Sequence, residues 1–483
     1  MKDCRMYING AFIENDTREL IPVINPATEE VVAHFPAGTT EDVDKAVQAA
    51  AAAQDAWAKL PAVERQKYIK EIVALMREHY DEFVDLLIEE QGKPVPSAQG
   101  EVSFAIDYFE FMGEYARRID GEIIPSDRPN EKIFLFKEPI GVAAGIMPWN
   151  FPVLSIARKV APPLITGNTV VIKPSSDTPL TANLFAELVD QSSLPKGVFN
   201  LIMGRGSVVG NALAGHPLVG ITSVTGSVGS GVAIMKAAAD NVSKVSLELG
   251  GKAPAIVMDD ADIDLAVRCI RDGRIINSGQ ACSCVERVYV HEDIADTFIK
   301  KITEAMKKVR NGDPRKAPYA DMGPMVSKKQ MEDVENAVKK AVEQGAELVC
   351  GGHPDKSQPK GYYFEPTVLT HCKQNSDIMQ EEIFGPVLPI TTFKNFDEAI
   401  AMANDCQYGL TSFIFTQDLH IAMRACKEIK FGEMYINREN FESMQGFHSG
   451  FRKSGIGGDD GMHGINEFMK TRIVYVDYDT EKK

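Results

Sequence analysis

A long uncharged hydrophobic run is missing from this chain. The apolar stretch over 139–157, free of Asp, Glu, Lys and Arg, holds three prolines and Asn150, a composition that does not make a membrane-spanning helix. An excess of basic charge is missing too. Against 68 Asp and Glu stand 52 Lys and Arg, a net charge of −16, and the cations are scattered rather than clustered. Nucleic acid and anionic membranes bind through a basic face, so neither is an expected partner. There is no repeat and no low-complexity tract. Met1 to Glu14 carries charges at both ends of a short apolar stretch, without a cleavage-like site, so no secretory signal is expected. The eight cysteines are spread over 483 residues, which points to reduced thiols in a cytoplasmic protein rather than to a disulfide framework. What is present is a globular composition. Hydrophobic residues make up 44%, too many for a disordered chain, and a chain of this length buries a core without staples. At roughly 100–200 residues per domain, two to four domains are expected.

The first 118 residues read as mostly helical. Thr40 is placed as the N-cap of an Ala-rich helix ending near Leu60, with Glu41 and Asp42 in its first turn. Apolar residues at Ile69, Ile72, Val73, Met76, Tyr80, Phe83 and Leu87 keep helical spacing over 62–91, and Gly92 is a suitable stop. From Gly141 the pattern changes. Strands at 142–147, 169–172, 199–203, 219–224 and 246–249 alternate with helices at 151–161, 178–191, 207–214 and 231–241. Thr178-Pro179 reads as an N-cap and first-turn pair. This alternation predicts an α/β fold with a doubly wound parallel sheet. A second alternation follows the turn-rich Gly250-Gly251, with strands at 255–258, 287–290, 347–350, 387–393, 411–415 and 433–437 and helices at 294–310, 327–344, 396–405 and 421–428. Segments 119–137 and 473–478 fit neither sheet and are expected to pair with each other or with another subunit.

Several residues could carry chemistry. Gly204-Arg205-Gly206 follows one strand, and Gly226-Ser227-Val228-Gly229-Ser230-Gly231 follows another and opens a helix. Glycines at such a turn let the backbone approach a pyrophosphate, and the helix start offers free N–H groups. A tight turn needing positive φ accounts for the same glycines. Lys173, in Lys173-Pro174-Ser175-Ser176, stands at a strand's C-terminal end, where a cation could bond a ribose or a phosphate; a solvated lysine would look the same. Cys282, in Gly279-Gln280-Ala281-Cys282-Ser283-Cys284, has small neighbours that would let a substrate approach a nucleophilic thiol. Two buried structural thiols are the alternative, and Cys-x-Cys without a second Cys/His pair is a poor metal site, so no metal is expected. Glu248 lies between two leucines at a strand end, where burial would raise its pKa and suit a general base; an exposed turn carboxylate is the plainer reading. The amide of Asn150 could donate to an oxyanion or cap the following helix.

Taken together and in order, these residues resemble the aldehyde dehydrogenase superfamily over nearly the whole chain. The likeness rests on Ile24-Asn25-Pro26-Ala27-Thr28, Pro148-Trp149-Asn150-Phe151-Pro152, Leu247-Glu248-Leu249-Gly250-Gly251-Lys252, Gly279-Gln280-x-Cys282, Glu382-x-Phe384-Gly385-Pro386 and Lys453-Ser454-Gly455-x-Gly457. Within the family, Tyr435 to Glu442 and Met444 to His448 look most like the bacterial lactaldehyde (glycolaldehyde) dehydrogenase branch. The resemblance implies two doubly wound sheet domains, one of 1–118 with 141–250 binding the dinucleotide and one of 251–466 carrying catalysis. It also implies a β arm of 119–140 and 467–483 that joins homodimers or homotetramers. It implies oxidation of a small aldehyde with NAD or NADP: Cys282 forms a thiohemiacetal and then a thioester, Asn150 and the Cys282 N–H hold the oxyanion, and Glu248 activates water. Gly206 belongs to the cofactor loop, Gly226 and Ser227 meet the pyrophosphate, Lys173 the adenine ribose, and Glu382 and Phe384 the nicotinamide ribose. Many NAD-using relatives carry Glu at the position of Ser176, so serine removes a repulsion toward a 2′-phosphate; Asp177 could restore some of it if turned inward. Arg158, eight residues after Asn150, returns to nearly the same helix face and with Glu442 and His448 could bond a 2-hydroxyl or a product carboxylate. A surface Arg158–Glu442 pair with His448 as a loop packer is the alternative. A CoA-acylating enzyme is a second reading, against which Glu248 argues, and a non-enzymatic protein retaining the fold is a third.

Overall fold

The structure is a computed structural model describing residues 3–15 and 17–478. Its first sheet has eight strands in the order Gly455–Ile456, Lys244–Glu248, Val219–Thr225, Val142–Ile146, Thr169–Lys173, Phe199–Leu201, Tyr7–Ile8, Ala11–Phe12. The five central strands are parallel, and the short outer ones are antiparallel. Chain order reverses between Val142–Ile146 and Val219–Thr225, which makes a switch point with a crevice beyond the strand ends. The second sheet has seven strands: Glu347–Cys350, Thr367–Thr370, Val387–Phe393, Val285–His291, Ala253–Val257, Thr411–Phe415, Glu433–Ile436. All are parallel except the first. Within 251–466, the stretch Gly455–Ile456 crosses back to edge the first sheet, pairing Glu248 with Gly455. Met469–Asp477 pairs antiparallel with Glu131–Pro139, which pairs with Glu122–Pro125, so the two segments that fitted neither sheet do meet each other. The arm's residues 479–483 lie outside the described residues. Among the described residues, no helix is long and apolar enough to cross a membrane.

Several local expectations are corrected. Thr39, not Thr40, caps the Thr40–Lys59 helix, in a reciprocal box with Asp42. The helix drawn over 62–91 breaks at His79 into Ala62–Glu78 and Tyr80–Glu90. Leu180–Gln191 has no side-chain cap from Thr178, whose hydroxyl is buried without a partner. The carboxylate of Glu90 takes the N–H groups of Leu180 and Thr181 at 2.6 and 3.1 Å instead, so a distant helix satisfies the orphan donors. Pro152–Thr166 runs past 161 through Pro162 and Pro163. Nearly every residue of that helix is buried, and packing overrides the proline stop signal. The helix Ile263–Ile275, the strand Thr367–Thr370 and four N-terminal strands went unmarked.

Candidate active site

A cavity of about 310 Å³ lies at the switch point, lined among others by Trp149, Asn150, Gly226, Ser227, Glu248 and Cys282 from the first sheet's crevice and the loop before Val285–His291. That loop turns through three left-handed residues, Asn277 (φ 49°), Ser278 (φ 60°) and Gly279 (φ 77°). At Gly279 a Cβ would stand 2.3 Å from the carbonyl carbon of Gly385, so glycine is required there. Arg274 Nη2 donates to Gly279 O at 2.6 Å, and the Gln280 side chain bonds Asn277 O at 3.0 Å and Val326 N–H at 2.8 Å. The Cys282 thiol, partly exposed, is thereby presented to the cavity. Cys284 is fully buried, and burial pushes its thiol up to about 12.

Asn150 is not the N-cap of its helix. The cap position is Phe151, and Glu101 from another helix accepts the N–H groups of Val153 and Leu154 at 2.9 and 3.3 Å. Lys93 forms a buried ion pair with Glu101 and donates to Asn150 O at 2.7 Å, where Asn277 Nδ2 also donates at 2.9 Å. The Asn150 amide donates to Gln280 O at 3.1 Å, which ties it to the cysteine loop.

Glu248 is 2% exposed and neither carboxyl oxygen has a hydrogen-bond partner. Burial raises its pKa well above the carboxylate range, opposed by His448. His448 Nε2 lies 3.7 Å from Glu248 Oε2 and 3.9 Å from Cys282 Sγ, while Nδ1 bonds Glu433 at 2.6 Å. Burial alone would depress the imidazole, but Glu442 and Glu433 override it and hold its pKa well above the ordinary value. For Cys282, burial holds the thiol above its ordinary value, and the hydrogen bond and charge of His448 offset only part of that rise. Arg158 does not form a surface pair: with its side chain 11% exposed, it grips Asp460 through Nε (3.0 Å) and Nη2 (2.7 Å) and Glu442 at 2.8 Å. Lys159 bonds Asp459 at 2.7 Å, both buried. Glu442, His448 and Asp460 line a second cavity of about 250 Å³ rimmed by exposed Phe441 and Phe447.

Among the other candidates, Lys173 is buried at its strand end. Burial lowers its pKa to about 8, with Asp177 opposing. Asp177 itself sits at the surface, accepting from Ser175 at 3.3 Å. The Ser176 hydroxyl donates to Gly204 O at 3.5 Å. Gly206 is exposed, with open space around it; the sterically required glycine is Gly204 (φ 143°), whose Cβ would meet Val209 at 2.6 Å and Gly38 N at 2.8 Å. Ser227 caps the Val228–Ala239 helix by accepting from Ser230 N–H, and Gly226 precedes it. Glu382 accepts from Gly251 N–H at 2.9 Å; burial and Glu286 raise its pKa to about 8. Phe384 (φ 54°) stands edge-on to Trp149.

Sequence reasoning missed two groups. The first is the buried Glu286, bonded to Lys252 (2.9 Å), Arg274 (2.8 Å) and the N–H groups of Ile383 and Phe384 (3.0 and 3.3 Å); it fixes the Glu382–Phe384 turn. Its signal is Glu286-Arg287, two opposite charges inside an apolar strand. The second is Glu433 with Asp459 and Asp460. Its signal is Arg158-Lys159, two cations in an otherwise uncharged buried helix, which require buried anions.

Fold and cavity together define a two-sheet α/β protein in which a thiol, a buried carboxyl and an amide meet at the switch point beside a helix start. The aldehyde dehydrogenase family profile matches residues 12–474. The chain is 54% identical to lactaldehyde dehydrogenase of Escherichia coli over 98% of both chains. It is 41% identical to D-glyceraldehyde dehydrogenase (NADP(+)) of Thermoplasma acidophilum over 99% of this chain and 97% of that one. It superposes on the crystal structure of the E. coli lactaldehyde dehydrogenase with a TM-score of 0.97, at 53% identity and over 99% of each chain. The chain belongs to the aldehyde dehydrogenase family, and it is an enzyme that oxidises aldehydes.

Proposed function

We propose that this enzyme oxidises a short 2-hydroxyaldehyde, lactaldehyde or glycolaldehyde, to its carboxylic acid with NAD or NADP. The observation carrying the substrate assignment is the wall beside the thiol. It carries the charged groups His448, Glu442 and Asp460 among Met434, Tyr435, Phe441 and Phe447, charges for which a plain alkanal offers no partner. A site of buried polar groups rejects an analogue lacking their partner, because those groups are then left unpaired. Similarity to lactaldehyde dehydrogenase supports the same reading. In this reading Cys282 attacks the aldehyde carbon, and the Asn150 amide and Cys282 N–H hold the developing alkoxide. His448, with Glu442 behind it, receives the 2-hydroxyl, while Arg158 acts through the carboxylates it holds. Glu248, once ionised, takes a proton from water as that water opens the Cys282 thioester.

The residues fit a dinucleotide. A buried Lys173 without a hydrogen bond to its Nζ among the described residues, a Gly226-Ser227 helix start and the wedged Gly250–Glu382 contact, where a Cβ would stand 2.2 Å from the carboxylate, leave backbone and charge facing the cavity. Lys173 would hold the adenine ribose beside Gly206, Gly226 and Ser227 the pyrophosphate, and Glu382 and Phe384 the second ribose. When bound there, the cofactor supplies the hydride acceptor. Ser176 in place of a carboxylate leaves room for a 2′-phosphate, so both cofactors are used. The Glu122–Pro125, Glu131–Pro139 and Met469–Asp477 sheet exposes Ile123, Phe136, Ile473 and Tyr475, which suits an oligomerisation arm of a cytoplasmic homodimer or homotetramer.

A steady-state panel of aldehydes with both cofactors tests the reading. Lactaldehyde or glycolaldehyde should exceed propanal and acetaldehyde by roughly tenfold or more in kcat/KM. Hexanal or benzaldehyde outperforming lactaldehyde would overturn the substrate assignment and leave the enzyme class intact.

A further inference from the structure

The thiol needs a partner that favours its ionised form, and Glu248 is no such partner. Its oxygens have no hydrogen-bond partner, and burial keeps it protonated. The cationic group in reach of Cys282 Sγ is His448, whose Nε2 lies at 3.9 Å, a length that small side-chain motion closes in the working complex. The other ring nitrogen is engaged by Glu433 Oε1 at 2.6 Å, and Tyr435 donates to Glu433 Oε2 at 2.7 Å, which orients the carboxylate. Glu442 Oε1 is also 3.6 Å from Nδ1, but Glu442 is already held by Arg158. Glu433 at Nδ1 and Glu442 beside it stabilise the charged ring, whose Nε2–H faces the sulfur and whose charge favours the thiolate.

We propose that Cys282, His448 and Glu433 form a thiolate–imidazolium–carboxylate array, with His448 the catalytic residue whose charge stabilises the ionised thiol and Glu433 the positioning residue that holds it. The S–H bond breaks, its proton passes to solvent, and the electron pair stays on sulfur as a thiolate facing the imidazolium. The charges around this pair come from every neighbouring element: Glu433 on the second sheet's edge strand, Glu442 on the following loop, Glu248 on the first sheet, Arg158 and Lys159 on the Pro152–Thr166 helix, and Asp459 and Asp460 beyond. Arg158 and Lys159 spend their donors on carboxylates, whereas His448 meets Glu433 through Nδ1 and keeps Nε2 toward the sulfur.

The inference rests on the assignment of Cys282 as nucleophile, and its test needs neither aldehyde nor cofactor. The full-length enzyme is alkylated with iodoacetamide across pH, and the modified cysteine is identified by peptide mapping. In the wild type the rate of Cys282 labelling rises at lower pH than in either variant. His448→Asn and Glu433→Gln should move the inflection upward by about one unit or more, the first further than the second, so that labelling below it slows about tenfold or more. The limiting rate at high pH should stay near wild type, because a thiolate formed by base no longer needs the histidine. Glu433→Gln keeps an acceptor for Nδ1–H and guards against loss of folding, which circular dichroism checks. Coincident inflections in all three proteins would overturn the array. Preferential labelling of another cysteine would instead overturn the assignment of Cys282.

Discussion

Replacing Arg158 with methionine separates a guanidinium that touches substrate from one that holds the cavity wall. The structure favours the wall. The side chain donates two hydrogen bonds to Asp460 and one to Glu442, and Asp460 is 1% exposed. Methionine keeps the length and apolar bulk and removes the charge. Deleting one member of a buried ion pair costs about 3–5 kcal/mol, because the partner is left charged without compensation. Asp460 has a way to soften this: burial already pushes its pKa up against the pull of Arg158, and without the cation it takes a proton. The loss should therefore fall near the lower end, about 3 kcal/mol. It should also spread to His448, whose backbone bridges Asp459 at 3.0 and 2.9 Å beside Asp460. Urea unfolding and kcat/KM for lactaldehyde and propanal make the assay. The expected result is lower stability with comparable loss for both aldehydes. Wild-type stability with a loss confined to lactaldehyde would refute the argument and restore Arg158 as a substrate ligand.

Four further outcomes are expected. Cys282→Ala should abolish turnover, a loss on the order of 4 kcal/mol or more in barrier, while cofactor binding measured by fluorescence persists; near-normal turnover would contradict the nucleophile. Glu248→Gln should give a rapid NAD(P)H burst followed by slow turnover, and equal loss of both phases in stopped flow would point to another role. Ser176→Glu should shift preference from NADP toward NAD, since like charges close together cost on the order of 1 kcal/mol or more; an unchanged kcat/KM ratio would sink that reasoning. Burial lowers Lys173 to about 8, and an anionic ligand favours its protonated form, so NADP should bind more weakly as pH rises through about 8. Dissociation constants equal at pH 7 and 9, or a pH dependence that survives Lys173→Met, would show that Lys173 does not carry the interaction.

The alternating sheets and the cavity's main residues were legible because their signals are local. Strand period placed Glu248 at a strand end and Asn150 between a strand and a helix, Cys282 stood out by its small neighbours, and their combination in family motifs singled the three out. What escaped is set by distant partners. Glu90 caps a helix 90 residues away, so Thr178 looked like the cap only because nothing nearby competes with it. Pro162 and Pro163 sit inside a helix that its neighbours bury on all sides, and proline rules read one segment alone. Arg158 was placed on the right face, yet helix spacing cannot tell whether a cation reaches a ligand or a carboxylate on a loop 302 residues away. Gly206 was chosen over Gly204 from its place in a motif, while the steric demand comes from Gly38 and Val209.

The buried ion pairs share a pattern that explains why they exist despite their small net contribution to stability. Lys93–Glu101 anchors the carbonyl of Asn150, Arg158–Asp460–Glu442 and Lys159–Asp459 pin the loop bearing His448, and Lys252–Glu286–Arg274 fixes both the Gly279 turn before Cys282 and the Glu382–Phe384 turn. Lys93 and Glu101 are eight residues apart but reach Asn150, 57 residues from Lys93, and the Arg158–Asp460 and Lys159–Asp459 pairs span 302 and 300 residues. Well-packed hydrophobic residues of similar volume would often stabilise the same contacts as well or better. They would not set the direction of a carbonyl or of a loop, because hydrophobic attraction is not directional, whereas charge-assisted hydrogen bonds fix distance and angle together. The ion pairs thus bear on the relative placement of thiol, amide and imidazole more than on the free energy of folding. Replacing Lys159 and Asp459 together by leucine and valine should accordingly leave the unfolding midpoint near wild type or raise it, while kcat falls. A fall in both midpoint and kcat would mean that the pair is needed for folding itself.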